Sequence, residues 1–340
     1  MKTVSATLLN AIFHNALKLG IEKNTLLEKA GIDESHFSNP DSHVPCIFSA
    51  KLLQAASELY HEPDLNVSIF LGQHFQPFHL NLFGYLILNS PTMREAYKRA
   101  IDYQVLVGDG LHISFVEGDG VARIRIMIIE PEMLPYKRCL MDWHLAMHVA
   151  LHRQLLGVDS CPEMIYMEHK APENLQAHQD FFRCKLTFDA DKYEIVVAEK
   201  LLDRKLKFAN PQLYLMFQKM ADELLLVMTG ERLFSRKVSQ YLLELIPVKK
   251  TSIEDVATRM AIGVRTLQRK LNEENVSFHE LLNDVRKELA LHHLAGQQLS
   301  ISEISYLLGF AEPSVFHRSF KKWTGQTPKD YQQTRVGSST

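Results

Sequence analysis

Ile301-Ser302-Glu303-Ile304-Ser305-Tyr306-Leu307-Leu308-Gly309-Phe310-Ala311-Glu312-Pro313-Ser314-Val315-Phe316-His317-Arg318-Ser319-Phe320-Lys321-Lys322-Trp323 is the stretch on which the fold reading turns. Ile301, Ile304 and Leu308 fall on one face of a short helix, and Gly309 marks a turn. Pro313 suits the first turn of a second helix, where its missing N–H costs nothing. That helix turns Phe316 and Phe320 inward and carries Ser314, His317, Arg318, Lys321 and Lys322 around them. The pattern has already occurred once: Ile253, Val256, Ala257, Met260 and Ile262 lie 48 residues before Ile301, Ile304, Ser305, Leu308 and Phe310. Leu267, Arg269 and Leu271 lie 49 before Phe316, Arg318 and Phe320. Each copy therefore reads as a helix-turn-helix with a small residue, Ala261 or Gly309, in its turn.

Between the copies, Ser277 and Glu280 stand in capping-box register, and Leu281, Leu282, Val285, Leu289 and Leu294 form an apolar stripe. A helix of about 18 residues is roughly 27 Å long. It can hold two second helices near the ~34 Å spacing of successive major grooves on one face of DNA. In that arrangement the first helix of each copy buries its apolar face and props the second where side chains reach base edges. Arg286, on the connecting helix, reads as structural. Upstream, Ile246-Pro247-Val248-Lys249-Lys250-Thr251 is the candidate linker, and Ser252 with Asp255 forms a further capping box.

The 340 residues carry 38 Lys+Arg and 40 Asp+Glu, a net charge of −2, which gives no basic excess to announce a nucleic-acid partner. The sum conceals an asymmetry. Residues 1–235 hold 23 basic and 29 acidic residues, net −6, and residues 236–340 hold 15 and 11, net +4. No run reaches the roughly 18 apolar residues of a membrane helix, and the N-terminus lacks a signal-peptide core, so a cytoplasmic protein without a membrane partner is expected. Cys46, Cys139, Cys161 and Cys184 are widely separated and read as buried thiols in a reducing compartment.

The first 75 residues are helical in pattern, and another helix runs from about Thr92 to Gly108. Leu111–Phe115 and Val121–Ile128 then alternate about Glu117-Gly118-Asp119-Gly120, a β-hairpin. A long helix, Tyr136–Leu156, follows. Strand-like segments at Met164–Glu168, Cys184–Phe188 and Glu194–Val197 surround a helical stretch near Leu175–Phe182. Beyond Asn210 the pattern is helical to the end. The expected architecture is an α+β sensor domain, a mixed sheet with helices, over 1–235, then a linker region at 236–250. An all-α domain of two helix-turn-helix motifs joined by a long helix follows at 251–335, with a frayed tail at 336–340.

The segment 308–331 resembles the signature of the AraC/XylS family of bacterial transcription regulators, and Arg265-Thr266-Leu267-Gln268-Arg269-Lys270-Leu271 resembles that family's first recognition helix. Upstream, Leu19-Gly20-Ile21, Ala30-Gly31-Ile32, Phe83-Gly84-Tyr85-Leu86, Ser90–Ala96 and Leu201-Leu202-Asp203-Arg204 resemble the arabinose-binding-type sensor of the ornithine-regulator branch. The resemblance implies promoter DNA as partner, control by a small-molecule effector and altered recruitment of RNA polymerase, with activation and repression both open; a homodimer and no cofactor are expected. It places Arg265, Gln268, Arg269, Ser314, His317 and Arg318 against bases, with Arg269 the favoured guanine contact. Thr266, Lys321 and Lys322 are assigned to phosphates. For Arg318, pairing with Glu303 or Asp330 is an equal alternative.

In the sensor half, His74 and His79 flank Gln76-Pro77-Phe78. With Phe78, Phe83 and Trp143 they are the candidate effector contacts, against core or turn positions as the competing reading. His144, His148 and His152 share one helical face, but the outer two are about 12 Å apart by helical rise, too far to share one metal ion. A polar helix face is expected instead, and no metal. Leu215, Leu224, Leu225, Leu242 and Leu245, on helices at 210–229 and 235–246, exceed what one narrow stripe needs and suit either dimer contact and signal relay or burial in the sensor. No catalytic motif is present, and no enzymatic activity is expected. The alternative from another class is a metal-dependent sensor or small-molecule enzyme with a C-terminal protein-docking helical domain.

Overall fold

The computed structural model describes residues 2–40, 42–60, 66–229, 233–247, 251–274, 276–296 and 299–336. Two compact units result, Met1–Leu224 and Leu225–Thr340. The first opens with a short antiparallel pair, β1 (Thr3–Ser5) and β2 (His43–Pro45), among α1 (Ala6–Leu17), α2 (Lys23–Ala30), α3 (Ile47–Leu59), α4 (Val67–Gln73), α5 (Asn81–Asn89) and α6 (Met93–Tyr103). A five-stranded sheet follows, built from β3 (Leu111–Gly118), β4 (Val121–Ile128), β5 (Met164–Tyr166), β6 (Lys185–Thr187) and β7 (Tyr193–Ala198). Its order is β3-β4-β7-β5-β6, antiparallel except for the β5–β6 pair.

The β3–β4 hairpin closes with Gly118 opposite Val121. Its two loop residues, Asp119 and Gly120, both have positive φ (57° and 75°), the type I′ turn that matches strand twist. Every residue of the central strand β7 is buried. Glu194, one of them, is held by Arg125 at 2.9 Å and Lys192 at 3.6 Å. The pair β1–β2 escaped the sequence reading because three-residue strands are too short to show a period of two.

The long helix α7 (Lys137–Leu156) crosses the unit and packs on α3, α4 and α8 (Gln176–Phe182). Leu140, Met141, Trp143, Leu145 and Ala146 have no solvent exposure. Contact with α4 is close because Gly72 has no side chain: a Cβ there would lie 2.6 Å from the Trp143 carbonyl oxygen and 2.7 Å from the Ala146 Cβ. Beneath it, Asp142 is buried and accepts from His169 Nε2 at 3.0 Å and Asn66 Nδ2 at 3.1 Å. Cys46 and Cys139 are buried as expected, whereas Cys161 and Cys184 are half-buried near the unit's surface.

Helix α9 (Pro211–Thr229) crosses the division between the units. It is tied to α6 by two hydroxyls: Tyr214 donates to Glu95 at 2.6 Å and Tyr103 to Asp222 at 2.5 Å. The second unit comprises α10 (Leu233–Leu245), α11 (Ile253–Arg259), α12 (Val264–Glu273), α13 (Phe278–Gly296), α14 (Ile301–Leu307), α15 (Pro313–Thr324) and α16 (Pro328–Val336). Here the arrangement differs from the expected division at 235. Helix α10 packs on α11, α12 and α13, with Val238 and Leu242 buried, so the segment read as a linker region carries core side chains of the second unit. Of that expected linker, Val248, Lys249 and Lys250 lie outside the described residues, as do residues 337–340 of the tail.

Gly72→Ala is expected to destabilise the first unit by about 1–3 kcal/mol, as overpacking of a tight helix contact does, with the fold otherwise retained. Urea unfolding followed by circular dichroism checks this; an unchanged midpoint refutes the close approach.

Candidate DNA interface and ligand cavity

Both helix-turn-helix copies are built as the repeat requires. Ser252 and Asp255 close a reciprocal capping box at the start of α11, and Ser300 and Glu303 close the same box at α14. Ser277 and Glu280 do so ahead of α13. The turn after α11 places Ala261 at φ 53°, and the turn after α14 places Gly309 at φ 76°. Both turns need the left-handed region, which strains an alanine and not a glycine. Val256, Ala257, Leu267 and Leu271 are buried in the first copy; Ile304, Ser305, Leu308, Phe316 and Phe320 are buried in the second.

With Leu267 and Leu271 facing inward, Arg265, Gln268, Arg269 and Asn272 fall on the opposite face of α12 at helical spacing, and all four are exposed. Together with Glu273 they line a shallow groove. Asn272 is a groove residue that the sequence reading did not single out, although its position three residues after Arg269 was the available signal. Arg269 is paired with Glu273 one turn on. Thr266 is half-buried, and the Lys270 ammonium lies 5.1 Å from the Phe234 ring centre on α10.

On α15 the same construction exposes Ser314, Arg318, Lys321 and Lys322 and leaves His317 half-buried. Ser314 Oγ donates to Glu312 at 3.2 Å. The carboxylates weighed as partners of Arg318 are engaged at helix starts, Glu303 in its box with Ser300 and Asp330 with the Thr327 backbone N–H. Arg286 is a structural residue: its Nε donates to the Leu308 carbonyl at 2.9 Å, and its guanidinium lies 4.7 Å from the Phe310 ring centre. It thereby fixes the second turn to the connecting helix α13, which at 19 residues is about 28 Å long.

The first unit contains a cavity of about 140 Å³ bounded by α1, α5, α6, α7 and the β3–β4 hairpin. Its wall is apolar except for a few polar groups, among them Gln104, Tyr97, His144, His148 and His152, and no Asp, Glu, Lys or Arg contributes to it. Of the five candidate effector contacts, Phe83 lines this cavity. His74 Nδ1 donates to the Phe70 carbonyl at 2.8 Å, His79 Nδ1 accepts from the Gln76 N–H at 3.1 Å, and Phe78 is half exposed. Trp143 is fully buried, edge-on to Phe75 with ring centres 5.6 Å apart.

The histidine face of α7 is not the polar surface expected from its spacing. His144 and His152 are buried, His148 is half-buried, and all three line the cavity, because α7 packs on α3, α4 and α8 and its histidine face is turned to the unit's interior. Among the described residues no group of three His, Cys, Asp or Glu has the geometry to hold a metal ion. Burial pushes the His152 imidazole down to about 4, with Arg153 and Arg204 adding to the effect. Burial likewise holds His144 and His148 below the usual histidine range. His169 behaves oppositely: against burial, its bond to Asp142 raises it.

Comparison with known proteins agrees with this two-part construction. The model for the arabinose-binding domain of AraC transcription regulator, N-terminal, matches residues 20–206, and a helix-turn-helix domain model matches residues 256–334. The ornithine utilization regulator of Pseudomonas aeruginosa is 25% identical over 326 residues, covering 95% of this chain and 94% of that protein. The urease operon transcriptional activator of Escherichia coli is 39% identical over 85 residues, 25% of this chain and 29% of that protein. The crystal structure of transcriptional regulator CdpR from Pseudomonas aeruginosa aligns over 91% of this chain and 96% of that one at 20% identity, with a TM-score of 0.45. The double helix-turn-helix defines a DNA-binding transcription regulator. The chain belongs to the AraC family, in the group with an arabinose-binding-type N-terminal ligand domain.

Stability of the full chain is expected to fall as pH drops from 7 to 5. Burial, complete or partial, depresses His144, His148 and His152 on α7, and His292 and His293 on α13, below the ordinary 6.5. Below that value the unfolded chain binds protons that the folded chain refuses, so each such group lowers unfolding free energy by up to about 1.4 kcal/mol per pH unit. His169 has the opposite sign, its contribution being full below 6.5 and lost as pH rises through its raised value. Urea titrations at pH 7, 6 and 5 measure the balance; equal midpoints contradict it.

Proposed function

We propose that this regulator reads promoter DNA with both second helices, α12 and α15, and that a small molecule held in the N-terminal cavity changes how it acts there. The observation that carries the reading is the pair of exposed, cation-bearing faces held by a shared connecting helix. Arg265, Gln268 and Arg269 on α12, and Ser314, His317 and Arg318 on α15, are the base-reading set. Thr266, Lys321 and Lys322 hold phosphates. On this reading the first unit senses and the 251–335 region binds DNA, RNA polymerase is the target of regulation, and no step of chemistry is performed on the effector. A net charge of only +4 over 236–340 means that affinity depends on two heads acting together rather than on bulk charge.

Dimerisation belongs to the same proposal. Leu213, Met216, Met220 and Leu224 are exposed along α9 at spacings of three and four residues, a stripe of the kind two helices use to pair. On α10, by contrast, Leu242 is buried in the second unit, so of the two helices weighed for dimer contact α9 is the one whose leucine and methionine face is open. Analytical ultracentrifugation is expected to give a dimer that Met216→Glu with Met220→Glu converts to monomer. A monomeric wild-type chain at micromolar concentration refutes this part.

For the DNA reading, Arg269→Ala is expected to cost roughly 1–3 kcal/mol at the selected operator and to relax preference at one base pair. Lys322→Ala is expected to weaken all sequences alike and to lower the salt slope by about one. Fluorescence anisotropy on the operator and on a scrambled duplex, across a salt series, separates the two. Equal effects of both substitutions on both duplexes overturn the assignment.

A further inference from the structure

The N-terminal cavity has a chemistry that narrows what it accepts. Its volume, about 140 Å³, is near that of a cavity known to enclose a benzene ring, which sets the size at roughly six to ten non-hydrogen atoms. No formal charge lines it, so neither an ammonium nor a carboxylate on the ligand meets a counter-charge. An unpaired ion in such a site is strongly disfavoured. These features exclude free amino acids as good occupants, since they bring two charges.

Three imidazoles stand on one wall, with Tyr97 and Gln104 on others. His144, His148 and His152 succeed one another at each turn of α7, about 6 Å apart by helical rise. His148 Nδ1 lies 2.8 Å from the His144 carbonyl oxygen, so in the neutral ring Nδ1 carries the proton and Nε2 keeps its lone pair. His152 meets Ser160 Oγ through Nδ1 at 3.0 Å, and its Nε2 is buried without a hydrogen-bond partner among the described residues. His144 Nδ1 is likewise buried and unpartnered. Buried polar atoms left in this state are costly in an empty protein and are relieved by a ligand that bonds them. The wall thus offers an acceptor at His148 and two further imidazole nitrogens that accept or donate according to tautomer. A hydroxyl, which donates and accepts at once, matches it.

Resting on the reading of this cavity as the effector site, we propose that the effector is a neutral, largely apolar molecule of phenol or short-alcohol size whose hydroxyl bonds the histidine wall of α7. Para-cresol, para-toluate, benzylammonium and toluene are suitable probes, because they share a shape and differ in charge and hydrogen bonding. Calorimetric titration of the full chain is expected to show para-cresol binding once per chain, at least tenfold tighter than para-toluate or benzylammonium. His148→Leu is expected to weaken para-cresol about fivefold or more and leave toluene unchanged. Ala100→Phe, which fills the cavity from α6, is expected to abolish binding of para-cresol and toluene; should that variant not fold, Leu151→Phe fills it from α7.

If para-toluate or benzylammonium binds as tightly as para-cresol, or if His148→Leu leaves para-cresol unaffected, the neutral hydroxyl class is overturned while the cavity stands as the site. If para-cresol binds but the filling variants do not affect it, or if none of the four probes binds, the cavity is not the ligand site and both readings fall.

Discussion

Helix α7 is buried along most of its length, and the N-terminal unit is arranged to meet the constraint this sets: each polar group the helix buries must be satisfied from within. At one end Asp142 accepts from His169 and Asn66, a buried carboxylate supplied with donors from two separate segments. On the other side the glycine of α4 admits the helix backbone at a distance no other residue permits. Satisfaction is incomplete at three nitrogens of the helix, His144 Nδ1, His152 Nε2 and Trp143 Nε1, which have no hydrogen-bond partner among the described residues. A folded chain retains unbonded buried nitrogens only at a cost, and such departures from complete pairing tend to mark functional sites.

The C-terminal unit solves a different problem with a single device used twice. A short helix of seven residues, too short to be stable alone, is closed by a serine–carboxylate box and roofed by the apolar side of a second helix. The second helix then has one face committed to packing and one left open. What makes the two copies a unit is α13 together with Arg286, whose guanidinium bonds the turn of the second copy. The copies have diverged at their open faces: Arg265 and Gln268 in the first correspond to Ser314 and His317 in the second, while Arg269 and Arg318 keep the same residue. The first face is richer in long hydrogen-bonding side chains, and the second in lysines at its end.

Much of this was legible without coordinates, for reasons that can be stated residue by residue. The 48-residue repeat exposed both helix-turn-helix copies because burial imposes the same apolar spacing twice. The β3–β4 hairpin was legible because Asp119-Gly120 is what a two-residue turn demands. The cavity was not legible, because its wall is assembled from residues as distant as Thr3 and Leu155, and local periodicity says nothing about which apolar faces meet imperfectly. The histidines of α7 were read as a surface because spacing reports which residues share a face, not what that face meets. Likewise the leucines of α10 announced burial but not the partner, and the partner is the second unit.

The ion pair between Arg269 and Glu273 bears on how such a protein finds its site. A guanidinium already neutralised within its own helix displaces fewer condensed counterions when it drifts along arbitrary duplex, so the non-specific association that counterion release drives is weakened. A guanine in register offers two acceptors at once and repays the loss of the carboxylate; a random phosphate offers less. Under the proposed guanine contact of Arg269, the acidic neighbour would trade residence on irrelevant sequence for a sharper contrast at the correct base.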